Sequence, residues 1–505
     1  MTDIEDLVGE RLMIGLAGPA VSDGDISLFK DTRAAGLILY RRNFTSPTQL
    51  LELLERLESA LGRRLLVATD HEGGRIVMLG QGVTIFPDNL AVGTAGEETF
   101  AFKEGLIEAR ELRRLGVDLN LGPCLDVLTE RYSPNIGIRS YGKDPAVVAK
   151  YGVARIRGMA KGGLSACPKH FPGKGHSPLD AHLRLPTIDS DWAEMQRVHL
   201  VPFFEAIAAG VECVMTSHPV YPKLDPSGVP ATFSRLIVED YLRGEVGFRG
   251  VIVSDDLEMG AVTEACPIAE AAVRTAAAGH DLLLVCHTEA AQRAAATALV
   301  DAYRSGRLPR HGLERAAGRV RALRERRAER AEGGPPAAER DGGPLAMAMA
   351  TRAVTELTRG RAAFARALNG RVCVVFPRFS DLAARITIEP EMCDEAGWVR
   401  RAFAGAGVGV EPMIVGIEPT PAEIEAAAAR AAAADATVLF VYDAHLYPTN
   451  RALLDAVQKA ARRLAVVLMR DPYDAALLGP DVVALTAYGW RRCQLQAVVA
   501  RLTFP

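Results

Sequence analysis

Charge of one sign, long apolar runs and aromatic residues are all scarce in this sequence. Its 505 residues carry 59 Lys and Arg against 62 Asp and Glu, a formal net charge of -3, and 6% are aromatic. No long basic run is joined to an aromatic platform, so nucleic acid is not an expected partner. No run reaches the roughly 18 apolar residues that a membrane helix needs. The segment MTDIEDLVGERLMIGLAGP is acidic and has no basic stretch leading into an apolar core with a cleavage site, so no signal peptide is read there. The eight cysteines (124, 167, 213, 266, 286, 373, 393, 493) are scattered, mostly inside apolar segments. That pattern suits reduced core thiols in a cytosol better than a disulfide framework. No HxH or HExxH pair, no Walker-type loop after a strand and no dinucleotide fingerprint in context is found. The expectation is a cytoplasmic protein with no metal, no cofactor and no membrane partner.

What the chain does have is apolar material, 49% of its residues, enough for two domains. In the first 300 residues, short β-branched runs alternate with longer helical patterns. The runs are Leu12 to Gly18, Gly36 to Tyr40, Leu65 to Asp70, Val117 to Gly122, Leu164 to His170, Glu212 to His218, Gly250 to Asp255 and Asp281 to Cys286. Helices are expected at Gln49 to Leu61, Glu98 to Leu115, Pro145 to Met159 and Glu289 to Tyr303, with Asp144-Pro145 a favourable start. Eight βα units predict a (β/α)8 TIM-like barrel, against a doubly wound open sheet as competitor. An Arg-rich helical stretch from Leu308 to Glu332 alternates Arg with Glu, the pattern of a solvated helix face. The Gly/Pro-rich GGPPAAERDGGP follows as a linker, which places a domain boundary near Gly343. Residues 1–343 are thus the expected barrel, and 344–505 a smaller open α/β sandwich domain. In the latter, Thr420-Pro421-Ala422-Glu423 reads as a capping box opening an alanine-rich helix.

Ionisable residues gather at the carboxyl ends of the first domain's strands, where a barrel builds its site. They are Asp70-His71-Glu72-Gly73-Gly74-Arg75, Asn120 leading to Asp126, Lys169-His170 with the loop to His182, Ser217-His218, and Ser254-Asp255-Asp256. The two glycines would let the backbone turn closely beneath a ligand. One such residue alone is as often a turn former or helix cap; five strand ends together argue for chemistry. Of Asp255 and Asp256, strand alternation lets one face the mouth while the other anchors the next helix, without choosing between them. His170, His176, His182 and His218 could be drawn as a zinc site, but their spacing argues against it.

The run KHFPGKGHSPLDAH followed by VIVSDDLEMGA resembles glycoside hydrolase family 3, in its bacterial β-N-acetylglucosaminidase branch. DHEGGR at Asp70 to Arg75 and IRSYGKDP at Ile138 to Pro145 extend the resemblance over the first domain. In the second domain it rests more weakly on Asp471-Pro472-Tyr473-Asp474 and Tyr488-Gly489. The resemblance implies a retaining hydrolase of terminal β-linked N-acetylglucosamine, with peptidoglycan fragments as the source. Asp255 would be the nucleophile and His182, oriented by Asp180, the acid/base. Asp70, Arg139, Lys169 and His170 would hold sugar hydroxyls. Lys169 and His170 also admit a purely structural reading as a buried pair. Three departures stand out: His71 where the family usually has Gln, Met78 where the branch usually has Arg, and Lys174 where it often has His. Two other functions remain open. A phosphorylase is one, because a histidine acid/base would not repel phosphate; a non-catalytic sugar-binding protein is the other. The partner is a small carbohydrate, and a homodimer is admitted.

Overall fold

The computed structural model describes residues 3–130, 133–177, 186–329 and 342–504. The fold is α/β, and the chain forms two compact units.

In the first unit all eight apolar runs are strands, each shorter than its run. They are β1 (Leu12–Gly15), β2 (Gly36–Leu39), β3 (Leu66–Thr69), β4 (Leu119–Asn120), β5 (Ser165–Ala166), β6 (Cys213–Met215), β7 (Val251–Val253) and β8 (Leu283–Val285). Six lie in one sheet in the order β8-β1-β2-β3-β4-β5, and β6 pairs with β7, every neighbour parallel. Single parallel bridges join Phe171 beyond β5 to Thr216 beyond β6, and Val253 of β7 to Leu282 before β8. Side chains from all eight strands or their ends meet in one apolar cluster that includes Met13, Ile38, Leu66, Leu119, Cys167, Met215, Val251 and Leu284. Each such burial contributes roughly 1.5–3 kcal/mol.

Three of the four expected helices start where the sequence predicts, and the first begins at Pro47, two residues before Gln49. Pro145–Lys161 is capped by Asp144, whose carboxylate accepts from the Ala146 N–H at 2.9 Å. This helix lies so close to Glu98–Arg114 that a Cβ on Gly158 would sit 2.1 Å from the Phe102 carbonyl oxygen. That approach buries Arg155 between Glu104, at 3.0 Å, and Glu108, at 2.9 Å. The Arg-rich helix spans Arg310–Glu329. Arg310 pairs within the helix with Glu314, but Arg319, Arg324 and Arg326 reach carboxylates of other elements, Asp281, Glu10 and Glu212, and Val320 and Leu323 enter the core, so the helix packs on the first unit more than the solvated face read from the sequence.

The second unit is a parallel sheet of β9 (Val372–Pro377), β10 (Val410–Val415), β11 (Ala436–Val441), β12 (Leu464–Leu468) and β13 (Val483–Thr486), in the order β13-β12-β11-β9-β10. A two-residue antiparallel strand, Thr355–Glu356, adds to β13. The capping box forms as predicted: Thr420 accepts from the Glu423 N–H, and Glu423 accepts from the Thr420 N–H at 2.9 Å.

The boundary expected at Gly343 divides the sequence, but two earlier segments, Gly73–Gly80 and Ile85–Glu97, cluster with the second unit. Buried hydrogen bonds explain why. Arg491 donates to the carbonyls of Gly74, at 2.6 Å, and Thr387, at 2.7 Å; Thr387 in turn donates to the Val77 carbonyl at 2.7 Å. Local sequence pattern carries no sign of contacts more than 300 residues apart.

Candidate active site

Strand β3 leads from Thr69 into Asp70, and the chain continues through the short strand His71–Gly73. The tight backbone expected at the two glycines is present, with φ of 82° at Gly73 and 47° at Gly74. A Cβ on Gly74 would lie 2.0 Å from Cγ of Asp88, so this position has no room for a side chain.

Glu72 organises the charge at this end of the strands. Its carboxylate accepts from Arg139 Nε at 2.9 Å and Nη2 at 2.8 Å, and lies 2.7 Å from Lys169 Nζ. Burial alone would raise the proton affinity of Glu72. The two cations more than offset that and hold it well below the usual carboxylate range. Lys169 also donates to Asp70 Oδ1. Lys169 and Arg139 are correspondingly raised, because the adjacent carboxylates outweigh the cost of burying a cation. Arg155 supports the arrangement from behind by donating to the Glu72 carbonyl at 2.7 Å. Asp70 is raised by burial against the pull of Lys169, and 17% of its side chain stays exposed.

His170 takes a different partner: its Nδ1 lies 2.7 Å from Asp126 Oδ2, and its Nε2 lies 3.4 Å from Arg139. Asp126 also accepts from the Cys124 thiol at 3.2 Å and from the Lys174 N–H at 2.6 Å. Cys124, Asp126 and His170 offer ligand atoms within 4.8 Å of one another, but those atoms already hydrogen-bond among themselves. His176 lies instead 3.0 Å from Thr129 Oγ1, and His218 bridges Thr232 Oγ1 and the Asp256 carbonyl.

The two carboxylates that the sequence could not separate have distinct surroundings. Asp256 is a brace: it accepts from the N–H groups of Cys286 and Glu258, each at 3.2 Å, and lies 3.0 Å from His287 Nε2. Asp255 accepts from the Asp256 N–H at 2.9 Å, faces Lys174 Nζ at 3.9 Å and keeps 16% of its side chain exposed. Burial raises the proton affinity of Asp255. Lys174, His218 and Lys169 beside it, with the Asp256 N–H, outweigh the cost of burial, so its carboxyl lies below the ordinary aspartate value.

The structure thus brings Asp70, Arg139 and Lys169 together through Glu72, and sets His170 beside Arg139 through Asp126. Asp180 and His182 lie outside the described residues. Sequence reading did not single out Glu72, Asp126 and Lys174 as the links. Buried charge next to a strand end was the available signal, but which charges pair depends on the fold.

Such a set of buried cations holding carboxylates at parallel strand ends can grip hydroxyl groups and present an ionised nucleophile. The comparisons agree with that chemistry. The profile described as "Glycosyl hydrolase family 3 N terminal domain" matches residues 4–323. A β-N-acetylglucosaminidase of glycoside hydrolase family 3 from Paenibacillus sp. str. FPU-7 is similar in structure, with a TM-score of 0.92 and 32% identity, covering 100% of this chain and 97% of that one. The beta-hexosaminidase of Xylella fastidiosa (strain 9a5c) is 38% identical over 284 residues, which are 55% of this chain and 84% of the relative. That of Thiobacillus denitrificans (strain ATCC 25259 / T1) is 37% identical over 324 residues, 62% and 89% respectively. With more than half of its length matched by the family profile, the chain belongs to glycosyl hydrolase family 3 and is a glycoside hydrolase.

Proposed function

We propose that this chain is a retaining β-N-acetylglucosaminidase that releases terminal β-linked N-acetylglucosamine through a covalent glycosyl-enzyme on Asp255. The observation that carries the reading is the contrast at the end of β7. Both oxygens of Asp256 are engaged in bracing the chain, while Asp255 is partly exposed beside a buried cation. An ionised, partly desolvated carboxylate is the group that can attack an anomeric carbon.

Asp70, Arg139, Lys169 and His170 hold the sugar, with Asp70 the accepting group and the cations the donors. His182, oriented by Asp180, protonates the leaving oxygen and then activates water. The eight strands of the first unit close into a (β/α)8 barrel; the bridges Phe171 to Thr216 and Val253 to Leu282 support this, since they link the two sheets at both ends. Residues 344–505 are an accessory α/β domain, to which Gly73–Gly80 and Ile85–Glu97 are tied. A reducing, cytoplasmic setting and peptidoglycan fragments as substrate belong to the same reading. It is supported by the eight cysteines, none of them in a disulfide and six of them buried. No described helix is long and apolar enough to cross a membrane.

The test is nitrophenol release from p-nitrophenyl N-acetyl-β-glucosaminide in phosphate-free buffer, by wild type and Asp255→Asn side by side. Turnover that collapses in the variant supports the reading, and equal activity of the two proteins overturns the assignment of Asp255. Turnover that requires added phosphate, with a sugar 1-phosphate as product, would instead identify a phosphorylase.

A further inference from the structure

Lys174 is the buried cation beside Asp255, and its environment is unlike that of the other cations in the site. Lys169 and Arg139 both spend their charge on Glu72. Lys174 is 4% exposed in its side chain, and among the described residues its recorded ion-pair distance to a carboxylate is to Asp255 alone. The backbone around it is pinned. Tyr221 donates to the Gly173 carbonyl at 2.9 Å, Asp126 accepts the Lys174 N–H, the Lys174 carbonyl accepts from Ser177, and the Gly175 carbonyl accepts from both Thr129 and Glu130. A flexible side chain on so fixed a backbone, buried with Asp255 as its nearest carboxylate and Asp126 further off, is an arrangement that costs desolvation and is offset chiefly by the charge of Asp255.

Resting on the assignment of Asp255 as nucleophile, we propose that Lys174 is a positioning residue that acts through Asp255. Its ammonium keeps the carboxylate ionised for attack and favours its return as a free carboxylate when the glycosyl ester is cleaved. In the first step an Asp255 oxygen forms the bond to the anomeric carbon, the glycosidic C–O bond breaks, and the leaving oxygen takes a proton. The ester is neutral, so Lys174 then loses its nearest counter-charge and keeps only the more distant Asp126. In the second step water forms the new C–O bond and the ester bond breaks. The electron pair returns to Asp255, restoring the ion pair, and the water proton goes to the acid/base.

The groups that face Asp255 from the packed elements are Lys174, Lys169 and His218, with Asp70 as the neighbouring carboxylate and the Asp256 N–H as donor. Burial pushes His218 down against the pull of Asp255. Burial pushes Lys174 down too, against the pull of Asp255.

The experiment is the pH dependence of kcat/KM for the p-nitrophenyl substrate, in wild type, Lys174→Met and Lys174→Arg, with the nitrophenol burst recorded in the same samples. The expected result is an acidic limb displaced upward by about one pH unit or more in Lys174→Met, the effect of removing an opposite charge at such range. Lys174→Arg restores the limb, and the methionine variant shows a larger burst because its glycosyl-enzyme breaks down more slowly. An unmoved limb with a loss of rate that is equal at every pH overturns the proposal and leaves Lys174 a packing residue. Lys174→Gln, read the same way, replaces the methionine variant should thermal melting show that it does not fold. Asp255→Asn runs alongside: full activity there sinks the nucleophile assignment itself, an outcome distinct from an unmoved limb in a chain whose Asp255→Asn variant is dead.

Discussion

Both units of this protein collect charge at the carboxyl ends of parallel strands, yet they use it differently. In the second unit the charges close on one another. Arg470 beyond β12 meets Asp443 beyond β11 at 2.5 Å, both buried. Asp474 accepts from the N–H groups of Ala444 and His445 and from the His445 ring, each at 2.8 Å. In the first unit the cations also find carboxylates, but Asp70 and Asp255 keep part of their surface open. Parallel sheets point strand ends, loops and helix termini in one direction, so polar residues accumulate there in any such fold. Whether they become a brace or a site depends on whether pairing leaves an ionised group exposed.

Four measurements would break or sharpen that contrast. The largest effect is expected at Asp255: Asp255→Asn lowers kcat by about 10³ or more with little change in melting temperature. A similar loss in Asp256→Asn without destabilisation would mean that the brace and the nucleophile have been confused. Next comes Glu72→Gln, which strips the shared counter-charge from Lys169 and Arg139. Leaving buried cations uncompensated costs about 3 kcal/mol, read by denaturant unfolding, and kcat/KM falls as well. Unchanged stability would show that Glu72 is not the organising group.

In the second unit, Asp474→Ala removes three accepted hydrogen bonds and costs about 2 kcal/mol, while kcat stays near the wild-type value. A large loss of kcat would end the distinction between brace and site. The smallest effect is a pH dependence at His445. Burial disfavours its charged form, but Asp474 outweighs that and raises its pKa above the ordinary histidine value. A group raised in the folded state contributes fully below its unfolded value and loses that contribution as pH rises through the folded one. The stability gap between wild type and His445→Asn should therefore be widest at acidic pH and narrow as pH rises. An unchanged gap in urea melts would remove the pair from the account.

Much of the architecture is legible in the chain. All eight apolar runs of the first unit become strands, because a β-branched run buried on both faces has few other solutions. Asp144 and Thr420 cap the helices they precede, since a side-chain oxygen at that position satisfies a free N–H whatever the rest of the fold does. Strand ends are overestimated, for example Val117 to Gly122 against Leu119–Asn120, although Asp118 and Leu121 still donate to the carbonyls of Val67 and Thr69 beside them.

The sequence by itself determined the family, through the KHFPG and SDDL runs, along with the order of strands and helices and the set of ionisable residues that the strand ends carry. Tertiary structure alone decided how those charges pair. Glu72 gathers Lys169 and Arg139, Asp126 holds His170, and Lys174 is left to Asp255. It also decided that Asp256 rather than Asp255 is bound up in bracing, and that Gly73–Gly80 joins the unit that contains Arg491. The physical reason is common to all of these. Periodicity and capping are satisfied by residues within a turn or two of each other, whereas these buried charges are stable only beside partners that the chain brings from 44 to 417 residues away.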